Sequence, residues 1–152
     1  MPAIALWLFV VNLGVAFGAG IYEHRIVVPR WINSGPSGVR WNAEAARQDD
    51  TGRRFWALTS TLPLTLLTLV NLFFAWQSSG EMRGWWLAAG LAALADRVIT
   101  FSYFIPTMVR LMEAADSPAS AAAAARWANL NYLRHAFVLA AWLAALNTLR
   151  GR

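Results

Sequence analysis

Apolar residues run along this chain in four long blocks, at 3–22, 55–76, 85–112 and 126–149, with polar stretches of unequal length between them. Each block reaches the roughly 20 residues that an α-helix needs to cross about 30 Å of hydrocarbon. None shows the short alternating segments of a membrane β-barrel. The pattern predicts an all-α chain: a four-helix transmembrane bundle with a polar first connection, forming a single integral membrane domain over 1–152. Residues 1–11 hold no Lys or Arg of the kind that precedes a signal-peptide core, so the first block is expected to remain as an uncleaved helix.

The connections differ in kind. Asn33-Ser34-Gly35-Pro36-Ser37-Gly38 reads as a turn-rich break, and Trp41-Asn42-Ala43-Glu44-Ala45-Ala46-Arg47-Gln48 as a short surface helix. The stretch at 77–84 is tight. Before the last block, Asp116 or Ser117 can cap the free N–H groups of a helix whose first position is Pro118. Pro63 and Pro106 lie inside blocks, where each removes a backbone hydrogen bond and can kink or open the helix. No internal repeat is present, and four helices without repeat symmetry offer little for alternating-access transport.

Composition agrees with a membrane setting: 58% of residues are hydrophobic and only 14% charged, against about 25% charged in soluble proteins. The chain has no cysteine, which excludes disulfides, thiolate metal sites and a Cys nucleophile. All 13 basic residues are arginine. Arg25, Arg30, Arg40, Arg47, Arg53, Arg54, Arg110 and Arg126 fall on the side of the first and third connections, and Arg83, Arg150 and Arg152 on the other. By the positive-inside rule the long first connection is cytoplasmic and both termini are outside, in what reads as a bacterial inner membrane. Trp7, Trp76, Trp85, Trp86 and Trp142 fall near one surface and Trp31, Trp41, Trp56 and Trp127 near the other, as two aromatic belts. The net charge of +5 suits an anionic leaflet; no separate basic domain points to nucleic acid. The expected partners are membrane lipids and a lipophilic small molecule, with a homo-oligomer left open.

Charges inside apolar blocks are the candidate chemistry. Asp96-Arg97 lies in the third block and Arg134-His135 in the fourth. Each charge costs roughly 2.5 kcal/mol or more at a bilayer centre, so such groups face inward and find partners. Positions three and four apart share a helix face, which groups Asp96, Thr100, Tyr103 and Thr107, and separately Trp127, Asn131, Arg134 and His135. Asn12 and Glu23, eleven residues or about three turns apart, share a face of the first helix. Glu23-His24-Arg25 borders a cavity or snorkels into the interface. Asn71 is the one polar residue of the second block given a site role; its threonines read as packing groups. No cofactor motif is legible. His24 and His135, the only histidines, form with Glu23 and Asp96 a weak two-His, carboxylate metal set without HxxxH or ExxH spacing. An internal salt-bridge cluster that only locks helices together stands beside these readings.

Phe104-Ile105-Pro106-Thr107-Met108, with Trp127-Ala128-Asn129-Leu130-Asn131-Tyr132-Leu133-Arg134, resembles the anthrone oxygenase-like family of small four-helix membrane proteins. Pro106, Thr107, Trp127, Asn131 and Arg134 match that pattern, and the layout is similar over nearly the whole chain. Most members have no known activity; some relatives oxygenate anthrones to anthraquinones. The resemblance implies a buried site that binds and oxygenates a lipophilic aromatic substrate. Oxygenation without a cofactor requires a base, a positive group and a dry aromatic pocket. His135 or Glu23 suits the first, Arg134 or Arg97 the second, and Tyr103 with Trp127 the third, with Asp96, Asn131, Asn71 and Thr107 as further binding residues. The same residues suit a quinone- or lipid-binding protein, or a structural subunit in which Arg97 and Arg134 neutralise Asp96 and Glu23.

Overall fold

The computed structural model describes residues 2–36 and 38–151. The chain is all-α apart from one hairpin. It runs α1 (Pro2–Trp31), β1 (Ile32–Gly35), β2 (Gly38–Trp41), α2 (Ala43–Asp49), α3 (Gly52–Gln77), α4 (Met82–Glu113) and α5 (Pro118–Arg150). Among these, α1, α3 and α4 are the helices long and apolar enough to cross a membrane. The fourth apolar block also forms a helix, the 33-residue α5, but Arg126, Arg134, His135 and its asparagines dilute it. Helices outrun the apolar blocks that predicted them: α1 continues nine residues past Tyr22 and α5 begins at Pro118, eight residues before 126.

Prolines explain where these helices change pitch. Wide π-helical turns occupy Glu23–Val27, Gly52–Thr61 and Thr100–Phe104, each ending two residues before Pro29, Pro63 or Pro106. A proline has no N–H for the carbonyl four residues back; the ladder shifts by one residue, with Val28, Leu62 and Ile105 each donating to a carbonyl five back. The two prolines expected to open helices do so, and Pro29 does the same in α1.

The first connection is more ordered than a turn-rich break. Ile32 pairs with Trp41 and Gly35 with Gly38 in a tight antiparallel hairpin, and Gly38 takes φ +104, which favours glycine. The short surface helix forms as α2, capped by Asn42, which accepts from Ala45 N; Trp41 belongs to the hairpin instead. This connection docks onto the end of α4 and the start of α5. Trp41 Nε1 donates to the Leu111 carbonyl at 2.7 Å and Arg47 to that of Met112. Arg40 pairs with Asp116 at 2.9 Å, and its hydrogen bonds hold the Asp116 carboxyl below the usual range. Asp116 is thereby occupied, and Ser117 caps α5 through a reciprocal box with Ser120.

Each long helix packs against two others: α1 on α3 and α5, and α4 on α3 and α5. Leu6, Phe9, Leu13, Trp86 and Ala141 form one apolar core, and Trp31, Trp41, Phe104, Leu111 and Trp127 a second. Both belts of tryptophans are therefore corrected in part: in the first, Trp86 is buried, bonded to Asn71, and Trp142 is half-buried. Trp7, Trp76 and Trp85 are exposed, but Trp31, Trp41 and Trp127 are buried, their indole N–H groups bonded to Asp49, Leu111 and Phe104. A buried indole needs such a partner; here Trp31 and Trp41 tie the first connection to helices, and Trp127 ties α5 to α4.

Candidate functional site

Asp96 sits at the meeting of α4 and α5, fully buried. Its Oδ2 accepts from Arg97 Nε at 3.1 Å and also from Arg97 Nη2, while Oδ1 accepts from Arg134 Nε at 3.3 Å. Arg97, only 4% exposed, keeps Nη1 buried without a partner among the described residues, as does Thr100 Oγ1 one turn on. Arg134 Nη1 donates to Asn131 Oδ1 at 3.1 Å, and Asn131 Nδ2 donates back to the Trp127 carbonyl at 3.2 Å. The Arg134 guanidinium lies over the Phe104 ring, 4.8 Å from its centroid, a cation–π contact that strengthens when water is absent. Two guanidiniums therefore share one carboxylate, against an aromatic wall of Phe104 and Trp127 with centroids 5.9 Å apart.

The α1 residues complete the neighbourhood. Glu23 Oε1 accepts from Thr51 Oγ1 at 2.5 Å and Trp56 Nε1 at 2.8 Å, both from the α3 side, and lies within the field of Arg134. Asn12 also reaches α3, donating to the Thr59 carbonyl at 3.0 Å, so the shared face of Asn12 and Glu23 points at one neighbour. His24 and His135 stand edge to face with centroids 5.9 Å apart, and Tyr132 packs on His24 at 4.4 Å. His135 can approach because residue 20 is glycine: a Cβ there would sit 2.7 Å from His135 Cε1. His24 Nδ1 and His135 Nε2 are buried without partners among the described residues.

The predicted residues thus divide. Asp96, Arg97, Asn131, Arg134, Trp127, Glu23, His24 and His135 gather along α5, which packs on α4 on one side and on α1 on the other. The two histidines are together, yet no group of three His, Cys, Asp or Glu side chains suited to a metal exists among the described residues. Tyr103 packs edge-on against Phe104, centroids 5.2 Å apart, in the second apolar core. Thr107 lies eleven residues beyond Asp96, about 16 Å along the helix. Asn71 is a clamp at the opposite end: its Nδ2 donates to Ala5 and Leu67 carbonyls and its Oδ1 accepts from Trp86. Trp86 is ten residues from Asp96, roughly 15 Å of helix, so Asn71 takes no part in the site.

Five residues of the site have no role in the sequence reading. Thr51 and Trp56 hold Glu23, and no spacing rule links them across 28 and 33 positions. Phe104 and Tyr132 lie close in sequence to Pro106 and Asn131 but carry no charge to mark them. Thr100 lay on the Asp96 face and needed only its burial to stand out. A scan against protein-family models and searches of curated proteins and of solved structures found no match.

Proposed function

We propose that the chain is an anthrone oxygenase-like integral membrane protein that binds and oxygenates a lipophilic aromatic molecule beside Asp96. In this reading the bundle crosses the bilayer four times, with α5 as the fourth span. Its Arg134 turns onto α4 and its His135 onto α1, and Asn131 is buried and bonded to Arg134, so a polar helix can sit among lipid-facing neighbours. The arginine bias supports a cytoplasmic hairpin connection and both termini outside a bacterial inner membrane.

One observation carries the reading: a single buried carboxylate serves two guanidiniums, leaving Arg97 Nη1 with a donor to give. An aromatic molecule whose oxygen gains negative charge supplies the acceptor, with its rings against Phe104, Trp127 and Tyr132. Glu23 is engaged by two donors, whereas His135 Nε2 is free among the described residues, which favours His135 as the base. His135 takes a proton from the ring CH2, and Arg97 and Arg134 stabilise the resulting oxyanion. The carbanion carbon bonds to O2; loss of the second C–H proton with cleavage of the O–O bond then yields C=O and one water. Quinone or lipid binding uses the same contacts without this chemistry. A structural subunit is the competing reading, supported by the complete engagement of Asp96.

Arg134→Gln and His135→Ala separate these readings in protein extracted with its native lipids. Binding or catalysis predicts that both variants insert and fold but lose retained ligand or turnover. A structural role predicts lower folded yield, with ligand lost only in proportion. Variants that fold, retain ligand and turn over normally would refute the assignment.

A further inference from the structure

A second feature lies away from the ion cluster. A groove of about 500 Å³ opens between α1 and α3, lined by Leu8, Val11 and Val15 on one side and Pro63, Leu66 and Leu67 on the other. Its volume is within the range of small-molecule sites. One amide interrupts this apolar lining. Asn12 Nδ2 donates to the Thr59 carbonyl, four residues before Pro63, which has no N–H to offer that carbonyl. That bond fixes the amide, because a flipped Asn12 would set acceptor against acceptor. Its Oδ1 is therefore an acceptor, buried and without a partner among the described residues.

An unsatisfied buried acceptor costs about 1–3 kcal/mol. An acyl chain, the ordinary filling of a lipid-facing groove, has no donor to relieve it. Phospholipid headgroups have donors but stay at the surface, whereas Asn12 lies ten residues beyond Pro2, about 15 Å along the helix and near the middle of the roughly 30 Å apolar layer. We propose that this groove binds a membrane-dissolved phenol, with the ring system in the apolar lining and the O–H donated to Asn12 Oδ1. A phenol is small enough to reach the midplane and is a stronger donor than an aliphatic alcohol. The site is separate from the Asp96 centre: Asn12 lies eleven residues, about 16 Å, from Glu23 on α1.

The test compares 2-naphthol with 2-methoxynaphthalene, the same ring system without a donor, bound to the full chain in phosphatidylcholine nanodiscs and corrected for protein-free discs. Wild type is expected to bind 2-naphthol about tenfold more tightly, the scale of one hydrogen bond. Asn12→Leu should bring the two probes to equal affinity. Leu66→Trp fills the groove while leaving the Asn12–Thr59 bond in place, and should exclude both. Equal binding of the two probes to wild type, or no binding, would overturn the proposal. So would 2-naphthol binding that survives Leu66→Trp but is lost in Arg134→Gln, since that places the phenol at the Asp96 centre.

Discussion

Asp96→Asn is the sharpest perturbation of the ion cluster, because it keeps the shape of the side chain and removes only its charge. In the native chain Asp96 faces Arg97 and Arg134, with side-chain exposures of 5% and 19%. The variant leaves both guanidiniums without their shared counter-charge. Removing one partner of a buried pair costs about 3–5 kcal/mol. Arg134 retains some access to water and feels Glu23, so the expected loss is at the lower end, about 3 kcal/mol, or about two decades in the folding equilibrium. Asp96→Asn/Arg97→Met should recover part of that loss, since it removes the more deeply buried of the stranded cations. Tryptophan fluorescence during unfolding by SDS in mixed micelles reads both numbers. Asp96→Asn within about 0.5 kcal/mol of wild type, the scale of an ordinary surface substitution, would refute the claim that this carboxylate holds two buried cations.

Three further outcomes follow from particular contacts. Gly20→Val places a side chain where His135 lies; it should abolish turnover while costing about 1–3 kcal/mol of stability, whereas full activity would mean His135 is not the base. The Arg40–Asp116 contact lowers the folded-state pKa of Asp116, so its stabilisation is complete above the unfolded value near 4 and fades as pH falls through the lower folded value. The protection factors of the hairpin amides, which remove the intrinsic pH dependence of exchange, should therefore fall with acidification below about pH 4, and Asp116→Asn should show the lower protection at every pH; identical profiles would contradict the docking role. Because the chain has no cysteine, single-cysteine variants report topology cleanly. A cysteine replacing exposed Val39 should label from the cytoplasm and one at the C-terminus from outside; the reverse pattern would invert the orientation.

Much of the helical framework could be read from the sequence because apolar length alone determines it. The ion cluster was also legible: charges within apolar blocks must find one another, and Asp96 with Arg134 does. The common face of Asn12 and Glu23 followed from helical geometry. What escaped depends on contacts between distant segments. The partners of Glu23 are Thr51 and Trp56, and nothing local marks them. Tryptophan counting places Trp31, Trp41 and Trp127 at a surface, yet their indoles are buried, with N–H groups bonded to the half-buried Asp49 carboxylate and to the Leu111 and Phe104 carbonyls. Asn71 had the burial of a site residue, but its hydrogen bonds to Ala5, Leu67 and Trp86 make it a clamp. Gly-Pro-Ser-Gly signals a turn without saying that the flanking residues pair, so in sequence the hairpin reads as a break. Pro63 and Pro106 mark helix disruption in sequence, while the one-residue shift they cause is visible only in the backbone.

Incorporation of oxygen from 18O2 during aerobic conversion of anthrone tests the central claim most directly. With the full chain in nanodiscs, anthraquinone should form faster than in protein-free discs and carry one 18O atom from the gas, and Arg134→Gln and His135→Ala should fall to the protein-free rate while remaining folded. Conversion no faster than in empty discs, or equal in those folded variants, would contradict an oxygenase centred on Asp96, Arg134 and His135.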